Sequence, residues 1–332
     1  MMIRARNVAT AAIFALLFFG GAGAQAQALK KLVLFGQPSV NNDAVWMAIE
    51  YGYFKEQGLD VEYRVFPSGT TAFQTFRTGQ GDIVMTGDLP SVQYFFENPG
   101  QYQTFAVMER DAKGYVAIAR KDIRKAQDLV GKTVATRVGS TGSWFISEYL
   151  SKNGVNPAGT TVKNLDTQLL PVALCKGDIS AFFIWQPIGS RTLEICPNDV
   201  HQLTDAVGYI QGYLVAGARP ELLNSADGAD RIQRFLRAVL KGRDKAEKDF
   251  AAVAAYAAKT YSLSEKATRD QWETNTRPIA IDKVYFQDFC SLSKWAQSTG
   301  ITKQPVDFSK LTWPNGLRAV DPKLVDAPPA PC

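Results

Sequence analysis

Short apolar runs alternate with amphipathic helical segments over the first two-thirds of this 332-residue chain, and that alternation leaves few folds open. Leu32 to Phe35 reads as a strand. Asp43 to Gln57, with Val45, Trp46, Ile49 and Phe54 as its apolar positions, reads as a helix ended by Gly58. Val61 to Phe66 and Ile83 to Met85 are further strands, separated by a short helix over Thr71 to Arg77 and followed by one through Val92 to Phe96. Strands joined by helices rather than tight turns imply a parallel sheet with crossover helices. Thr104 to Met108 and Tyr115 to Ala119 are strand-like again, with the polar stretch Arg110 to Lys113 between them.

The series then restarts. Lys132 to Thr136, Val162 to Leu165 and Ile179 to Trp185 are strand-like, with helical patterns over Ser143 to Lys152 and around Leu169 to Cys175. After a strand-like Tyr213 to Ala216, the chain turns helical over Arg231 to Lys241, Asp249 to Tyr261 and Lys283 to Ser298. Two similar α/β units with a long helical return predict two lobes, each a mainly parallel sheet flanked by helices. The first lobe is expected from residues 29–118 and 217–325, the second from 119–216. The two crossings are expected near Ala117 to Lys121 and Tyr213 to Ala218, where extended segments absorb a hinge rotation. The Pro-rich end, residues 326–332, reads as a flexible tail.

Arg4 and Arg6 precede the apolar run Val8 to Phe19, and Ala24-Gln25-Ala26 offers small residues at cleavage spacing, so residues 1–26 read as a secretory signal peptide. The apolar run is shorter than the roughly 20 residues of a bilayer span. A soluble, exported and periplasmic protein is therefore expected. The formal charge of +5 falls to +3 without Arg4 and Arg6, and no Lys/Arg-rich block tracks a phosphate backbone, so nucleic acid is not an expected partner. Cys175, Cys196, Cys290 and Cys332 allow three pairings in an exported chain. Cys175 with Cys196 and Cys290 with Cys332 is the favoured set, with four buried thiols as the alternative.

In open α/β sheets ligands collect at the carboxyl ends of strands. The candidate loops are Gln37-Pro38-Ser39, Pro67 to Thr71 with Ser68, Gly69 and Thr70, Thr86-Gly87-Asp88, and Val138 to Ser143. In the last, backbone N–H groups and the hydroxyls of Ser140, Thr141 and Ser143 converge on an oxyanion at a helix N-terminus, with Gly142 in the turn and Arg137 at the same strand end. The bland reading is that Ser143 is an N-cap and the glycines shape a turn. Asp88 is either an acceptor for an amine or a helix cap. Trp144 and Trp185 are candidate apolar walls, whereas Trp46 reads as core. No G-x-S-x-G elbow is present and His201 is the only histidine, so catalysis is not expected.

The segments FPSGTTAFQTFRTGQGDIVMTGDLPSV at 66–92, DLVGKTVATRVGSTGSWFISEYLSKNGV at 128–155 and GDISAFFIWQPIGSR at 177–191 resemble periplasmic substrate-binding proteins of the nitrate, sulfonate and taurine importer family. Order and spacing match from about residue 30 to residue 225. The resemblance implies the type II two-lobed periplasmic binding fold, closing as a monomer on a small anionic solute and docking on an ABC permease, with no cofactor. It places Ser68 to Thr70, Gly87 to Asp88, Ser140 to Ser143 and Trp185-Gln186 at the cleft. Two departures matter. Relatives carry an acid where this chain has Gln186, and taurine-type members carry one near Gln211. Asp88 and Asp166 are the remaining candidates for an ammonium partner, so the expected ligand is an aliphatic sulfonate or taurine-like anion without an obligatory amine. Pyrimidines, flavin-like molecules and aromatic acids are the alternative ligands that the resemblance allows. A thiamine-pyrimidine synthase shares the fold, but its cysteine cluster is missing here.

Overall fold

A computed structural model describes residues 28–328 and 332. The expected signal peptide, residues 1–26, lies outside the described residues, as do residues 329–331 of the tail.

Ten strands build two five-stranded sheets. The first holds β1 (Lys30–Gly36), β2 (Leu59–Val65), β3 (Ile83–Gly87), β4 (Gln103–Asp111) and, from late in the chain, β10 (Gly212–Ala218); the second holds β5 (Tyr115–Arg120), β6 (Thr133–Thr136), β7 (Thr161–Asn164), β8 (Ala181–Trp185) and β9 (Val200–Asp205). Their orders are β2-β1-β3-β10-β4 and β7-β6-β8-β5-β9. In the first, β1 is parallel to β2 and β3 while β10 runs antiparallel to β3 and β4. In the second, β6 is parallel to β7 and β8 while β5 runs antiparallel to β8 and β9. Each sheet is thus four strands in one direction plus one reversed strand. In both cases the reversed strand is the one that has just entered from the other lobe.

The central strands read as near-continuous apolar runs because helices cover both sheet faces. Leu32, Leu34 and Phe35 of β1 and Ala181 to Ile184 of β8 are fully buried. The long helix Ala226–Lys248 lies on the helix Asp43–Glu50 so closely that a Cβ at Gly242 would stand 2.0 Å from the Ala44 carbonyl oxygen. Only glycine permits that backbone contact. Helix starts are fixed locally by side chains. Ser68 accepts from Thr71 N, Asp249 from Ala252 N, and Asp282 from Tyr285 N at 2.8 Å.

Three expectations shift. Strand β5 belongs to the second sheet from Tyr115 and β10 to the first from Gly212, so the crossings are Ala112–Gly114 and Ala206–Gln211, several residues before the places read from sequence. The apolar runs taken for crossings are buried strands, and the crossings are the short connections ahead of them. The helix expected over Asp43 to Gln57 is broken at Gly52, whose φ of +72° separates Asp43–Glu50 from the single turn Tyr53–Glu56. The tail, expected to be loose, is tied at both ends. Asp326 N donates to Ile281 O, and Cys332 is bonded to Cys290 on the helix Lys283–Ser298. Cys175 is bonded to Cys196, linking the helices Leu170–Lys176 and Ile188–Ile195. Both are the favoured pairings.

Candidate ligand-binding site

The carboxyl ends of the strands in both sheets face each other across the interlobe cleft. A narrow cavity of about 20 Å³ lies there. The first lobe lines it with Gln37, Asn41, Gly69, Gly87, Pro90, Tyr213 and Leu214, and the second with Tyr115, Ser140, Thr141 and Trp185. Its polar groups are amides and hydroxyls, and no Lys or Arg stands among the lining residues.

Gln37 ends β1 and is held by its own amide, which donates to Met85 O at 2.8 Å. Asn41 is carried by a short turn braced from behind by the buried ion pair of Arg277 with Asp43, 2.6 Å long. On the second lobe the helix Thr141–Lys152 begins at the cavity. Ser140 precedes it in an extended conformation, and its hydroxyl donates to Arg137 O at 2.6 Å. Gly142 is required here, since a Cβ would stand 2.2 Å from Thr136 Oγ1 and 2.7 Å from Phe183 O. This close approach seats the helix N-terminus against the end of β8, where its free N–H groups face the cleft.

Asp88 lies just behind the lining. It opens the helix Asp88–Glu97, a position that favours negative charge, yet burial pushes its carboxyl up to about 7. Its Oδ1 accepts from Leu89 N at 2.6 Å and from the Thr141 hydroxyl of the other lobe, while its Oδ2 has no partner. Deeper still, burial raises Glu109 and Asp111, which face the Asn275 amide; with its nitrogen turned to the acids, that amide reaches Glu109 Oε1 at 3.1 Å.

Further bonds join the lobes. Ser39 Oγ donates to Gln186 O at 3.0 Å and accepts from Gln271 Nε2 at 2.7 Å. Arg191 donates to Tyr261 O at 2.9 Å, and Ser264 to Glu194 at 2.9 Å. The two lobes are therefore in a closed arrangement.

Of the residues singled out in the sequence, Gln37, Gly69, Gly87, Ser140, Thr141 and Trp185 come together around the cavity, with Asp88 and Gly142 immediately behind it. The others sit elsewhere. Ser68 caps its helix, and Thr70 lies in an adjacent groove with its hydroxyl unpartnered. Ser143 accepts from Gly139 N. Arg137 pairs with the exposed Asp166 at 2.9 Å. Trp144 packs toward Trp295 on the outside of the hinge, with ring centroids 6.3 Å apart. The Gln186 side chain accepts from Ser190 N at 2.9 Å. Gln211, with its amide oxygen turned inward, ties the two crossings together by accepting from Asp111 N and Ala112 N. His201 lies on β9 with its ring nitrogen against Ile123 O. Asn41, Tyr115, Tyr213 and Leu214 were not singled out. Three of them lie on the strands that enter from the crossings, which form the floor of the cleft.

A family model described as NMT1/THI5 like matches residues 40–249. The chain belongs to this family. Within it, the chain is 28% identical over 188 residues to the taurine-binding periplasmic protein of Escherichia coli strain K12, and that stretch is 56% of each protein, so the match spans little more than half of that relative. Among solved structures, the alkanesulfonate-binding protein SsuA from Xanthomonas axonopodis pv. citri bound to MOPS superposes with a TM-score of 0.75 at 17% identity, over 87% of this chain and 99% of that one. The periplasmic aliphatic sulphonate binding protein SsuA from Escherichia coli gives 0.73 at 18% identity, over 87% and 99%. These likenesses establish the two-lobed periplasmic binding-protein fold for this NMT1/THI5-like chain.

Proposed function

We propose that this protein is the periplasmic solute-binding component of an ABC importer, capturing a small organic sulfonate between its lobes and delivering it to a membrane permease. The observation that carries the reading is the start of the helix Thr141–Lys152 at an interlobe cavity whose polar lining is neutral. Free backbone N–H groups at the helix start, held in place by the hydroxyls of Ser140 and Thr141 through Arg137 O and Asp88, are well suited to an oxyanion that keeps its charge at every physiological pH. They donate without a counter-ion, and the ligand's water is replaced by fixed dipoles as the lobes close. The taurine-binding and alkanesulfonate-binding relatives support the same ligand class. Export by the N-terminal segment, action as a monomer and the absence of catalysis belong to this proposal.

The amine question follows from the same geometry. Gln186 and Gln211 are both engaged away from the cavity, and Asp166 pairs with Arg137. Two carboxylates bond cavity residues without lining the cavity themselves, and both are engaged: Asp88 accepts from the Thr141 hydroxyl and Asp288 from the Tyr213 hydroxyl. Ethanesulfonate is therefore expected to bind as well as taurine.

Thermal-shift screening of the protein from residue 27 onward against ethanesulfonate, taurine, nitrate, sulfate, a pyrimidine and an aromatic acid tests the reading, since a ligand of the folded state raises the melting temperature. Shifts confined to the sulfonates are expected. Shifts from ring compounds alone would overturn the assignment and make Trp185, Tyr115 and Tyr213 the recognition surface.

A further inference from the structure

The narrow cavity is flanked by two larger spaces. On one side lies a groove of about 330 Å³ in which Phe73, Pro90, Tyr94 and Val138 stand beside Gln74, Arg77, Gln93 and Glu97. On the other lies a space of about 300 Å³ with Pro38 and Pro67 from the first lobe and Pro171, Val172, Ile188 and Ile195 from the second as apolar walls, and Thr167, Gln168 and Arg191 at its polar edge. Trp185 borders both this space and the inner cavity. In the loop after β1, Gln37 borders the inner cavity and the next residue, Pro38, this annex. The two chambers thus share Trp185 on the second lobe and lie one residue apart on the first.

Val172 and Ile195 are 49% and 63% exposed, although each sits in an otherwise ordinary helical context that would tolerate a polar residue. Aliphatic groups left in contact with water around a concave, two-lobed rim mark a binding surface rather than a packing requirement. Continuity with the cleft says what occupies it. A polar end held in about 20 Å³ leaves no room for bulk inside, and this annex borders the inner cavity through an aromatic wall that the two share, Trp185.

We propose that this annex is a tail subsite, and that the preferred ligand is a sulfonate carrying a hydrocarbon tail of four or more carbons that passes Trp185 and lies against Val172 and Ile195. The inference rests on the sulfonate reading given above.

Calorimetric titration with ethane-, butane-, hexane- and octanesulfonate tests it. Affinity is expected to rise about three- to fourfold for each methylene that enters the annex. The double variant Val172→Gln/Ile195→Gln changes two exposed side chains. It should flatten this series while leaving ethanesulfonate affinity within about twofold. Val130→Gln, at an equally exposed apolar residue away from the cleft, should leave the slope intact. Ethanesulfonate binding with a flat series, or a series that the double variant leaves unchanged, would overturn the tail subsite alone. Failure of every sulfonate to bind would remove both the subsite and the sulfonate reading on which it rests.

Discussion

Two strand-to-helix junctions meet at the cleft, one from each lobe, and they are built alike but charged differently. In the first lobe, β3 runs through Gly87 into the helix Asp88–Glu97. In the second, β6 leads through Val138 to Ser140 into the helix Thr141–Lys152. Each aims a helix N-terminus at the cavity. The first fills its own N-terminal position with a buried carboxylate, Asp88, whereas the second offers only hydroxyls and N–H groups. Asp88 then accepts the Thr141 hydroxyl, so the acceptor of one junction consumes a donor of the other. The difference teaches that the same local architecture can carry an engaged carboxylate on one lobe and free helix N–H groups on the other.

The largest expected effect comes from removing the carboxylate side of this comparison. Because burial raises Asp88 from 3.8 to about 7, the fold prefers its protonated form. Its contribution to stability is fully present below about pH 4 and is lost as the pH rises through about 7. Between those limits the wild type should lose about 1.4 kcal/mol per pH unit relative to Asp88→Asn, read from urea midpoints at a series of pH values. Glu109 and Asp111 are also raised and remain in both proteins, and because the Asp88 charge helps to raise Glu109, the difference reports Asp88 together with that coupling. Equal slopes would mean that the carboxylate is solvated in the folded protein.

On the donor side, Gly142→Ala places a methyl group against Thr136 Oγ1 and the Phe183 carbonyl. A loss of about 1–3 kcal/mol of stability is expected, together with weaker ligand binding as the helix start is displaced. Unaltered binding would detach the helix position from recognition. Ser140→Ala and Thr141→Val each remove a hydroxyl whose proton is held by the protein, by Arg137 O and by Asp88, and by loosening the helix start and the closed state they should weaken sulfonate binding by about 1–3 kcal/mol in calorimetry. Unchanged affinity in both variants would take this loop out of the site. The smallest effect belongs to the rim. Ser39→Ala removes the bridge from Gln271 to Gln186 O, and a loss of about 1 kcal/mol in binding is expected, because only the closed state makes that contact.

The strands and helices around these junctions were readable because their signals are local. Leu32 to Phe35 and Ile179 to Trp185, and the helix after the first of them, show in the pattern of apolar residues itself, and a loop between a strand end and a helix start lies on the ligand side of such a sheet. That geometry is why Gln37, Ser140, Thr141 and Trp185 were found. The crossings were misplaced because β5 and β10 are apolar throughout and give no mark of where the sheet ends. Tyr115, Tyr213 and Leu214 were missed for the same reason, since they reach the cavity only through the order of strands around the hinge. Trp144 shows the opposite failure. Its place directly after the GSTG turn suggested the cleft, but the first turn of its helix directs it toward Trp295.

The most direct test is a calorimetric titration of the protein with ethanesulfonate, carried out on the wild type and on Thr141→Val. One site per chain, with an affinity that falls about 5- to 150-fold in the variant, is the predicted result. Absence of sulfonate binding by the wild type would contradict the claim that the helix start Thr141–Lys152 captures an anion in this cleft, and equal affinity in the two proteins would contradict the coupling of that capture to closure through Thr141 and Asp88.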